Sequence, residues 1–310
     1  MLSSIHIRSF LIVLATFAMG AGVRAGLSAD ESSGKQYDFR MVQMSDTQPP
    51  LGQEGQWALV EEAVSLVNSL KPDIVLVAGD VTDNGTEVEC KRMGEILSRI
   101  RAPMYAVAGN HDTLQVTEAD EQAFPGEDIR AVKRGYFEKY ISNMTWPVEL
   151  GELQFVGLEP GATWSNIPAD RREWLLETCR AGSAPYKFLV THFPPNPAEG
   201  PERRGPDRGN LYEALDDAGV VGYMHGHTHR LEAAQDPETG RLVFNSCSAV
   251  FRDTRGVMYY DVYGDRIVCF WKPVESKARV LGMFDLKQAL ADVSSRREAA
   301  VEVGVVDKTD

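Results

Sequence analysis

The chain has 310 residues, a formal net charge of −13, and 43% hydrophobic and 25% charged residues. These proportions are ordinary for a globular protein and leave ample apolar material for a core. An acidic surface of this kind repels nucleic acids and anionic membranes, so the composition argues against extended polyanions as partners. A small anionic substrate stays compatible with it if a local positive centre, such as a metal, attracts that substrate.

The first 25 residues have the layout of a secretory signal peptide. Arg8 precedes the apolar run FLIVLATFAMGAG, and Val23 and Ala25 are small residues at the two positions that define cleavage. The run is too short for a good membrane span, and no cysteine lies near the cut to carry a lipid. We therefore expect cleavage near Ala25 and a secreted or periplasmic protein without a stable membrane anchor. A retained N-terminal anchor is the alternative.

Residues 26–37 are rich in serine, glycine and charge, which predicts a flexible N-terminus of the mature protein. Strand-like and helix-like apolar patterns then alternate along the chain. They predict the strand FRMVQMS, the helix WALVEEAVSLVNSL, the buried strand DIVLVAGD, a helix over residues 88–100, the strand PMYAVAGN and the helix IRAVKRGYFEKYI.

The second half continues with a strand pair in VELGELQFVGLE, the helix RREWLLETC, the strand KFLVTH, the helix NLYEALDDAG and the strand VVGYMHGH. From Arg241 the pattern becomes purely β, in RLVFNSCSAV, GVMYYDVYGD and DRIVCFWKP. This order predicts an α/β sandwich whose sheets are covered by helices, in one domain over residues 38–285. Residues 286–310 turn charged and small, which predicts a C-terminal helix with a frayed tail.

Polar side chains collect where the predicted strands end. They are Asp46, Gln48, Asp80, Asn110, His111, Asp112, His192, His225, His227 and His229. Five of the six histidines are in this set. Because ligands of open α/β sheets bind outside the carboxyl ends of the strands, we expect these segments to converge on one edge. Nitrogen and oxygen donors gathered in one place favour a metal site over scattered core histidines.

Individual residues of this set suit a site for two cations. Asp80 can supply the bridging anion that two ions about 3.5–4 Å apart require. The glycines before Asp80 and Asn110 keep the approach to those side chains open. Asn110 suits a metal as a neutral oxygen ligand, which limits negative charge where a phosphate must bind. His227 and His229 are two residues apart on an extended segment, so they point the same way and can reach neighbouring ions.

The motif blocks SDTQ, GDVTDNG, GNHD, THFPP and GHTH, in this order, resemble those of the calcineurin-like metallophosphoesterase family over residues 40–270. The resemblance implies a β-sandwich flanked by helices, with a dinuclear metal centre at the strand ends. It assigns the first metal to Asp46, Gln48, Asp80 and His229. It assigns the second metal to Asp80, Asn110, His192 and His227, so that Asp80 is the bridge.

The resemblance also implies a metal-dependent phosphoric ester hydrolase that acts on a small phosphate mono- or diester. Two ions, with Mn, Fe or Zn as candidates, would make a hydroxide available as the nucleophile. His111 would stabilise the transition state or protonate the leaving oxygen, with Asp112 holding its tautomer, and Asn110 and His111 would contact the substrate. His225 has no role in the family pattern and is expected to be structural.

Gln48 departs from the family, which usually has histidine at this position. A glutamine oxygen is a harder and weaker ligand than imidazole, so the first metal would bind less tightly or be a harder ion. This DxQ form of the first motif also occurs in a subset of the family. The alternatives are contact of Gln48 with metal-bound water, and a non-catalytic phosphate- or nucleotide-binding protein with a weakened first metal site.

The segment over residues 193–210 is long and rich in Pro, Gly and Arg, and long loops in compact domains are often functional. Its Arg203, Arg204 and Arg208 are candidates to clamp a substrate phosphate. A solvated charge cluster is an equally good interpretation of the same three arginines.

The four cysteines have wide spacings that match no zinc motif. They are Cys90, Cys179, Cys247 and Cys269. One or two disulfides and plain buried thiols are both compatible with an exported protein, and buried thiols are favoured in so large a core.

Overall fold

The computed structural model describes residues 37–159, 167–194, 209–251 and 255–306. The predicted signal peptide, residues 26–36 and the three arginines Arg203, Arg204 and Arg208 lie outside the described residues. The predictions made for them therefore stay predictions.

Twelve strands and eight helices make up the described chain. The strands are β1 (Phe39–Met44), β2 (Ile74–Ala78), β3 (Met104–Val107), β4 (Trp146–Leu150), β5 (Leu153–Gly157), β6 (Tyr186–Val190), β7 (Val220–His225), β8 (Glu232–Gln235), β9 (Leu242–Asn245), β10 (Gly256–Tyr263), β11 (Arg266–Pro273) and β12 (Arg279–Asp285). The helices are α1 (Glu54–Ser69), α2 (Glu87–Leu97), α3 (Asn110–Thr113), α4 (Glu118–Ala123), α5 (Ile129–Tyr140), α6 (Ala169–Ala181), α7 (Gly209–Ala218) and α8 (Leu286–Val306).

The strands form two six-stranded sheets, ordered β12-β11-β10-β1-β2-β3 and β4-β5-β6-β7-β9-β8. The central strands run parallel: β1 with β2 and β3 in the first sheet, and β5 with β6, β7 and β9 in the second. The outer neighbours are antiparallel. Parallel neighbours within a sheet end at a common edge, and the candidate ligands follow these strand ends.

Apolar side chains of both sheets form a shared core. Its members include Met41 of β1, Phe155 of β5, Phe244 of β9 and Tyr260 of β10. The outer face of the first sheet packs against α1, α2 and α5, and that of the second sheet packs against α6 and α7. The described chain forms one compact unit, which confirms the predicted α/β sandwich flanked by helices in one domain.

Local capping sets one helix boundary that the apolar pattern places differently. The helix predicted over residues 88–100 begins at Glu87 and ends at Leu97. The hydroxyl of Thr86 accepts the N–H of Glu89, and the Glu89 carboxylate accepts the N–H of Thr86 at 3.0 Å. This capping box satisfies N–H groups that the first turn cannot pair, so it determines where α2 begins.

Membrane and disulfide predictions can be compared with the described residues. Among them, no helix has both the length and the apolar character needed to cross a membrane. All four cysteines are buried free thiols. Burial raises the pKa of Cys179 to about 11, since a thiolate is poorly solvated there. The buried-thiol interpretation of the cysteines is therefore confirmed.

Candidate metal centre

Four of the expected ligands have left-handed backbone conformations. The φ angle is 53° at Asp46, 52° at Asp80, 69° at His227 and 54° at His229. In the described chain, Lys71 is the one other non-glycine residue with positive φ. Such conformations cost of order 1–3 kcal/mol each and are retained where the surrounding structure holds them, often at functional sites. The backbone therefore marks this edge of the sandwich as the candidate site.

The second position (Asp80, Asn110, His192 and His227) is built around Nε2 of His192. That atom lies 3.1 Å from Oδ2 of Asp80, 3.2 Å from Oδ1 of Asn110 and 3.2 Å from Nδ1 of His227. Donors about 2.0–2.2 Å from one ion lie about 3.0–3.5 Å apart, so these distances match a single coordination shell. Ligand atoms of Asp80, His192 and His227 all lie within 4.8 Å of one another. The structure brings the four expected donors of this position together.

The first position (Asp46, Gln48, Asp80 and His229) is more open on one side. Nε2 of His229 lies 3.2 Å from Oδ1 of Asp46, and the side chain of His229 is 38% exposed whereas Asp46 is buried. The N–H of Gln48 donates to the carbonyl oxygen of Asp80 at 3.1 Å, which places Gln48 beside the expected bridge. Asp46 and His229 are thus in contact, and Gln48 is attached to the same edge through its backbone.

The side-chain oxygen of Gln48 shows that the site suits a cation. Oε1 is buried, and it has no hydrogen-bond partner among the residues that the structure describes. A buried acceptor left without a partner costs about 1–3 kcal/mol, and a cation at the first position would satisfy it. Together with the carboxylates, the Asn110 oxygen and the imidazoles, this donor set fits divalent ions such as Mn, Fe or Zn.

Two glycines of the motifs let the ligands approach one another closely. A Cβ atom on Gly109 would lie 2.1 Å from Oδ1 of Asp80. A Cβ atom on Gly226 would lie 2.5 Å from Oδ2 of Asp46. Any side chain at either position would collide with a ligand contributed by a different motif, so these glycines are part of the site's construction.

Protonation at the second position follows from burial and charge. Burial favours the neutral form of Asp80, but His192 outweighs it, so the pKa of Asp80 is lowered. Burial also opposes a charged His192, yet the Asp80 carboxylate raises the pKa of His192 to about 9. Burial and His192 together lower the pKa of His227 to about 4, which keeps that imidazole neutral. A cation binding here takes the place of the proton that His192 holds at Nε2 beside Asp80.

The orientation of the His192 ring follows from its other nitrogen. Nδ1 of His192 lies 2.8 Å from the carbonyl oxygen of Ala78, so an N–H at Nδ1 directs Nε2 to the metal position. His225 is different, because it is buried and its Nδ1 lies 2.9 Å from the carbonyl oxygen of Gly226. Burial lowers the pKa of His225 to about 3, and its position agrees with the structural role expected for it.

The predicted pairing of His111 with Asp112 is wrong. Nδ1 of His111 lies 2.8 Å from the carbonyl oxygen of Asp83 and 3.7 Å from its Oδ1 atom. Asp112 is fully buried, and its carboxylate accepts the N–H groups of Thr82 and Gly109, both at 2.8 Å. The short helix α3 turns Asp112 back towards these backbone donors, so Asp112 ties the two motifs together and Asp83 orients the His111 ring.

Three serines that the sequence does not single out surround Asp46. The Ser45 hydroxyl donates to Oδ2 of Asp46 and lies 2.8 Å from the hydroxyl oxygen of Ser246. The Ser248 hydroxyl donates to the carbonyl oxygen of Asp46 at 2.6 Å. All three serines are fully buried. Ser45 could have been noticed as the neighbour of a ligand, whereas the other two follow a strand about 200 residues away along the chain.

The sequence model of the calcineurin-like phosphoesterase family matches residues 39–231, more than half of the chain. The chain belongs to this family. The matched span contains every residue of both metal positions, and the resemblance that the motif blocks carry is confirmed.

Two curated relatives match a shorter part of this calcineurin-like phosphoesterase. One is named a probable glycerophosphodiester phosphodiesterase, from Arcobacter nitrofigilis, and is 26% identical over 134 residues, or 42% of this chain and 45% of its own length. The other is named a probable cyclic nucleotide phosphodiesterase, from Synechococcus sp., and is 24% identical over 138 residues, or 43% of this chain and 48% of its own. The chain therefore spans about half the length of the curated relatives it matches.

Solved structures show the same fold. A dimetal phosphatase from Danio rerio superposes with a TM-score of 0.56 at 13% identity, over 79% of this chain and 99% of the other. The purple acid phosphatase PPD1 from yellow lupin superposes with a TM-score of 0.58 at 15% identity, over 82% of this chain and 56% of the other. At these identities the likeness establishes the fold and not the substrate.

Proposed function

We propose that this calcineurin-like phosphoesterase hydrolyses a small phosphate diester with two divalent cations bound in the candidate metal centre. The observation that carries the proposal is the convergence of donors on Nε2 of His192, at 3.1–3.2 Å from Asp80, Asn110 and His227. A structural metal site would more often use cysteines, and none of the four lies in the centre.

The residues of the centre have separate tasks. One ion would be held by Asp46, Gln48 and His229, and the other by Asn110, His192 and His227. Asp80 would bind both ions. Bound divalent cations supply positive charge that attracts phosphoryl oxygens, and they lower the pKa of water towards neutrality. No serine or cysteine nucleophile is required for this chemistry.

His111 is the candidate proton donor to the leaving oxygen. Its Nδ1 lies 2.8 Å from the carbonyl oxygen of Asp83, so an N–H at Nδ1 fixes the ring and leaves Nε2 for the substrate side. The backbone N–H of His111 donates to Oδ1 of Asp80 at 2.9 Å, which ties the proton donor to the expected bridge. In its imidazolium form His111 also carries a proton at Nε2, and it can deliver that proton next to the ions without being their ligand.

A diester substrate, rather than a monoester, is supported by the two curated relatives, which are both named as probable phosphodiesterases. The net charge of −13 disfavours long polyanions, so a small diester is the substrate class that fits best. Export is part of the proposal and rests on the signal-peptide layout of residues 1–25. Mass spectrometry of the exported chain should find an N-terminus near residue 26. A retained leader would contradict cleavage, and recovery of the chain from the cytoplasm alone would contradict export.

Turnover of two aryl substrates by the metal-loaded chain tests the proposal. We expect bis(p-nitrophenyl) phosphate to be hydrolysed faster than p-nitrophenyl phosphate when Mn, Fe or Zn is supplied. Asp80→Asn should remove this activity by a factor of about 10³ or more, because the bridge carries several kcal/mol of charge stabilisation. Asp128→Asn, at the exposed N-cap of α5, is the matched control and should leave turnover unchanged.

The non-catalytic alternative makes the opposite prediction with the same samples. A phosphate- or nucleotide-binding protein with a weakened first position would bind metal and phosphate yet turn over neither ester. Near-native turnover in Asp80→Asn would instead exclude the bridge and, with it, the proposed arrangement of ions.

A further inference from the structure

A buried carboxylate lies next to the second position without being one of its ligands. Gly157 of β5 pairs with Val190 of β6, and the N–H of Leu158 donates to the carbonyl oxygen of Val190 at 2.9 Å. Glu159 and His192 each follow this pair by two residues, so the register of the two strands places them side by side. Oε1 of Glu159 lies 3.3 Å from the hydroxyl of Thr113. Because Thr113 and Asn110 are three residues apart on α3, they share a face of that turn.

Two arginines from different helices converge on Glu159. Arg134 of α5 forms an ion pair with Oε2 of Glu159. Arg171 of α6 donates to the carbonyl oxygen of Glu159 at 2.7 Å and has a guanidinium nitrogen 3.8 Å from Oε2. We name this group of three residues the arginine cluster. It carries one positive charge in excess, beside the metal centre of a chain whose net charge is −13.

The two guanidinium groups keep partial access to solvent. The side chains of Arg134 and Arg171 are 29% and 21% exposed, whereas that of Glu159 is 4% exposed. An arginine has five N–H donors, and the ion pair with Oε2 of Glu159 engages only part of those of Arg134. Guanidinium groups bind carboxylates and phosphates through paired N–H donors, and such charge-assisted bonds are among the stronger ones in proteins.

We propose that the arginine cluster is an anion subsite that selects diesters carrying a second anionic group, a carboxylate or a phosphate, near the scissile phosphate. This inference rests on the proposed phosphodiesterase function and names the substrate class of that site. The cluster lies on the side of Asn110 and His192, so a substituent extending from a phosphate at the second position would meet Arg134 and Arg171. Glu159 holds the two guanidinium groups in place and prevents them from repelling the neighbouring cations.

The same contacts also fit a clamp that joins α5, α6 and the end of β5 without touching substrate. The two interpretations differ in what they predict for a matched pair of substrates. A clamp affects all substrates equally when it is weakened, because it acts through the position of the metal ligands. An anion subsite affects the charged substrate alone.

The test compares kcat/KM for the p-nitrophenyl phosphodiesters of glyceric acid and of glycerol, in which a carboxylate of the first replaces a hydroxymethyl group of the second. The metal-loaded chain should prefer the glycerate diester by about tenfold in kcat/KM at low ionic strength, which corresponds to about 1.4 kcal/mol. Added salt should reduce this preference, since both arginines are partly exposed. Arg134→Gln and Arg171→Gln should each lower the preference several-fold while leaving turnover of the glycerol diester unchanged.

Arg172→Gln is the matched control. Arg172 follows Arg171 on α6 and donates to Asp217 at 2.6 Å, so its loss should leave the preference intact. Equal kcat/KM values for the two diesters in the unaltered chain would overturn the inference without reference to any variant. An equal loss on both diesters, or a preference retained in both glutamine variants, would identify a clamp and overturn it as well. Turnover of neither diester would overturn the proposed phosphodiesterase function itself.

Discussion

The two metal positions differ in how firmly the fold holds their donors. At the second position, three donors lie 3.1–3.2 Å from Nε2 of His192, and Asp80 and His192 are almost completely buried. At the first position, His229 is 38% exposed and Gln48 contributes an amide oxygen in place of an imidazole. Buried donors that are already correctly spaced lose little freedom when an ion binds.

This difference indicates that the two positions bind their ions with different affinities. The second position should bind its ion tightly and keep it, whereas the first should exchange its ion more readily. The first position is nevertheless well built around Asp46, since Ser45 and the N–H of His227 hold both carboxylate oxygens. Its weakness therefore lies at Gln48 and His229 and not at Asp46.

Removing one imidazole from each position gives the largest expected contrast. His192→Ala should lose the ion of the second position and about 10³-fold in kcat, because three other donors are arranged around that nitrogen. His229→Ala should weaken the first ion by a smaller factor and respond to added metal. Metal content after dialysis and kcat at increasing metal concentration measure both effects. A larger loss in His229→Ala than in His192→Ala would reverse the assignment of tight and weak positions.

Loss of a supporting hydroxyl should change the first position alone. Ser45→Ala removes the hydrogen bond to Oδ2 of Asp46, and such supporting contacts commonly change metal affinity by about 10–100-fold. The matched control is Ser65→Ala, whose hydroxyl donates within its own helix to the carbonyl oxygen of Glu61. Titration with Mn, followed by calorimetry, should show one weakened and one unchanged site. Equal weakening of both sites would mean that Ser45 supports the whole edge.

The sequence predicts those site residues that directly follow a recognisable strand. Asp80 and His192 each follow a buried parallel strand, and strand ends of this kind meet at one edge, so their convergence follows from the pattern alone. The direction of Asp112 could not be predicted, because adjacency to His111 says nothing about which way a four-residue helix turns its side chains. The edge strand β12 was also missed, since its residues are mostly exposed or half-buried and its sequence lacks the regular apolar–polar alternation of a half-buried strand.

Contacts between segments that are far apart in the chain could not be predicted from the sequence, for a different reason. Ser248 reaches Asp46 across about 200 residues, and Glu159 gathers Arg134 and Arg171 from two helices. None of these residues stands next to a ligand in the chain. Only the packing of the two sheets, and the register of β5 on β6, brings them to the centre.

Gln48→His should have the smallest effect of these substitutions, and it tests most specifically why the first position binds its ion less tightly than the second. The Oε1 atom of Gln48 is buried at this edge and has no hydrogen-bond partner in the part of the chain that the structure describes. If that oxygen contacts the ion, an imidazole of similar size should raise the affinity of the first position for Zn about tenfold, or about 1.4 kcal/mol. Gln288→His, on the exposed face of α8, controls for metal binding by an added surface histidine.

The outcome of Gln48→His decides what the amide does. A gain in first-site affinity with no change at the second site would show direct ligation, and the two positions would become nearly equal. An unchanged affinity would mean that a water lies between Gln48 and the ion, because replacing one hydrogen-bonding side chain by another alters the ion's own ligands little. In that case exposure of His229, rather than the choice of glutamine, would account for the weaker position.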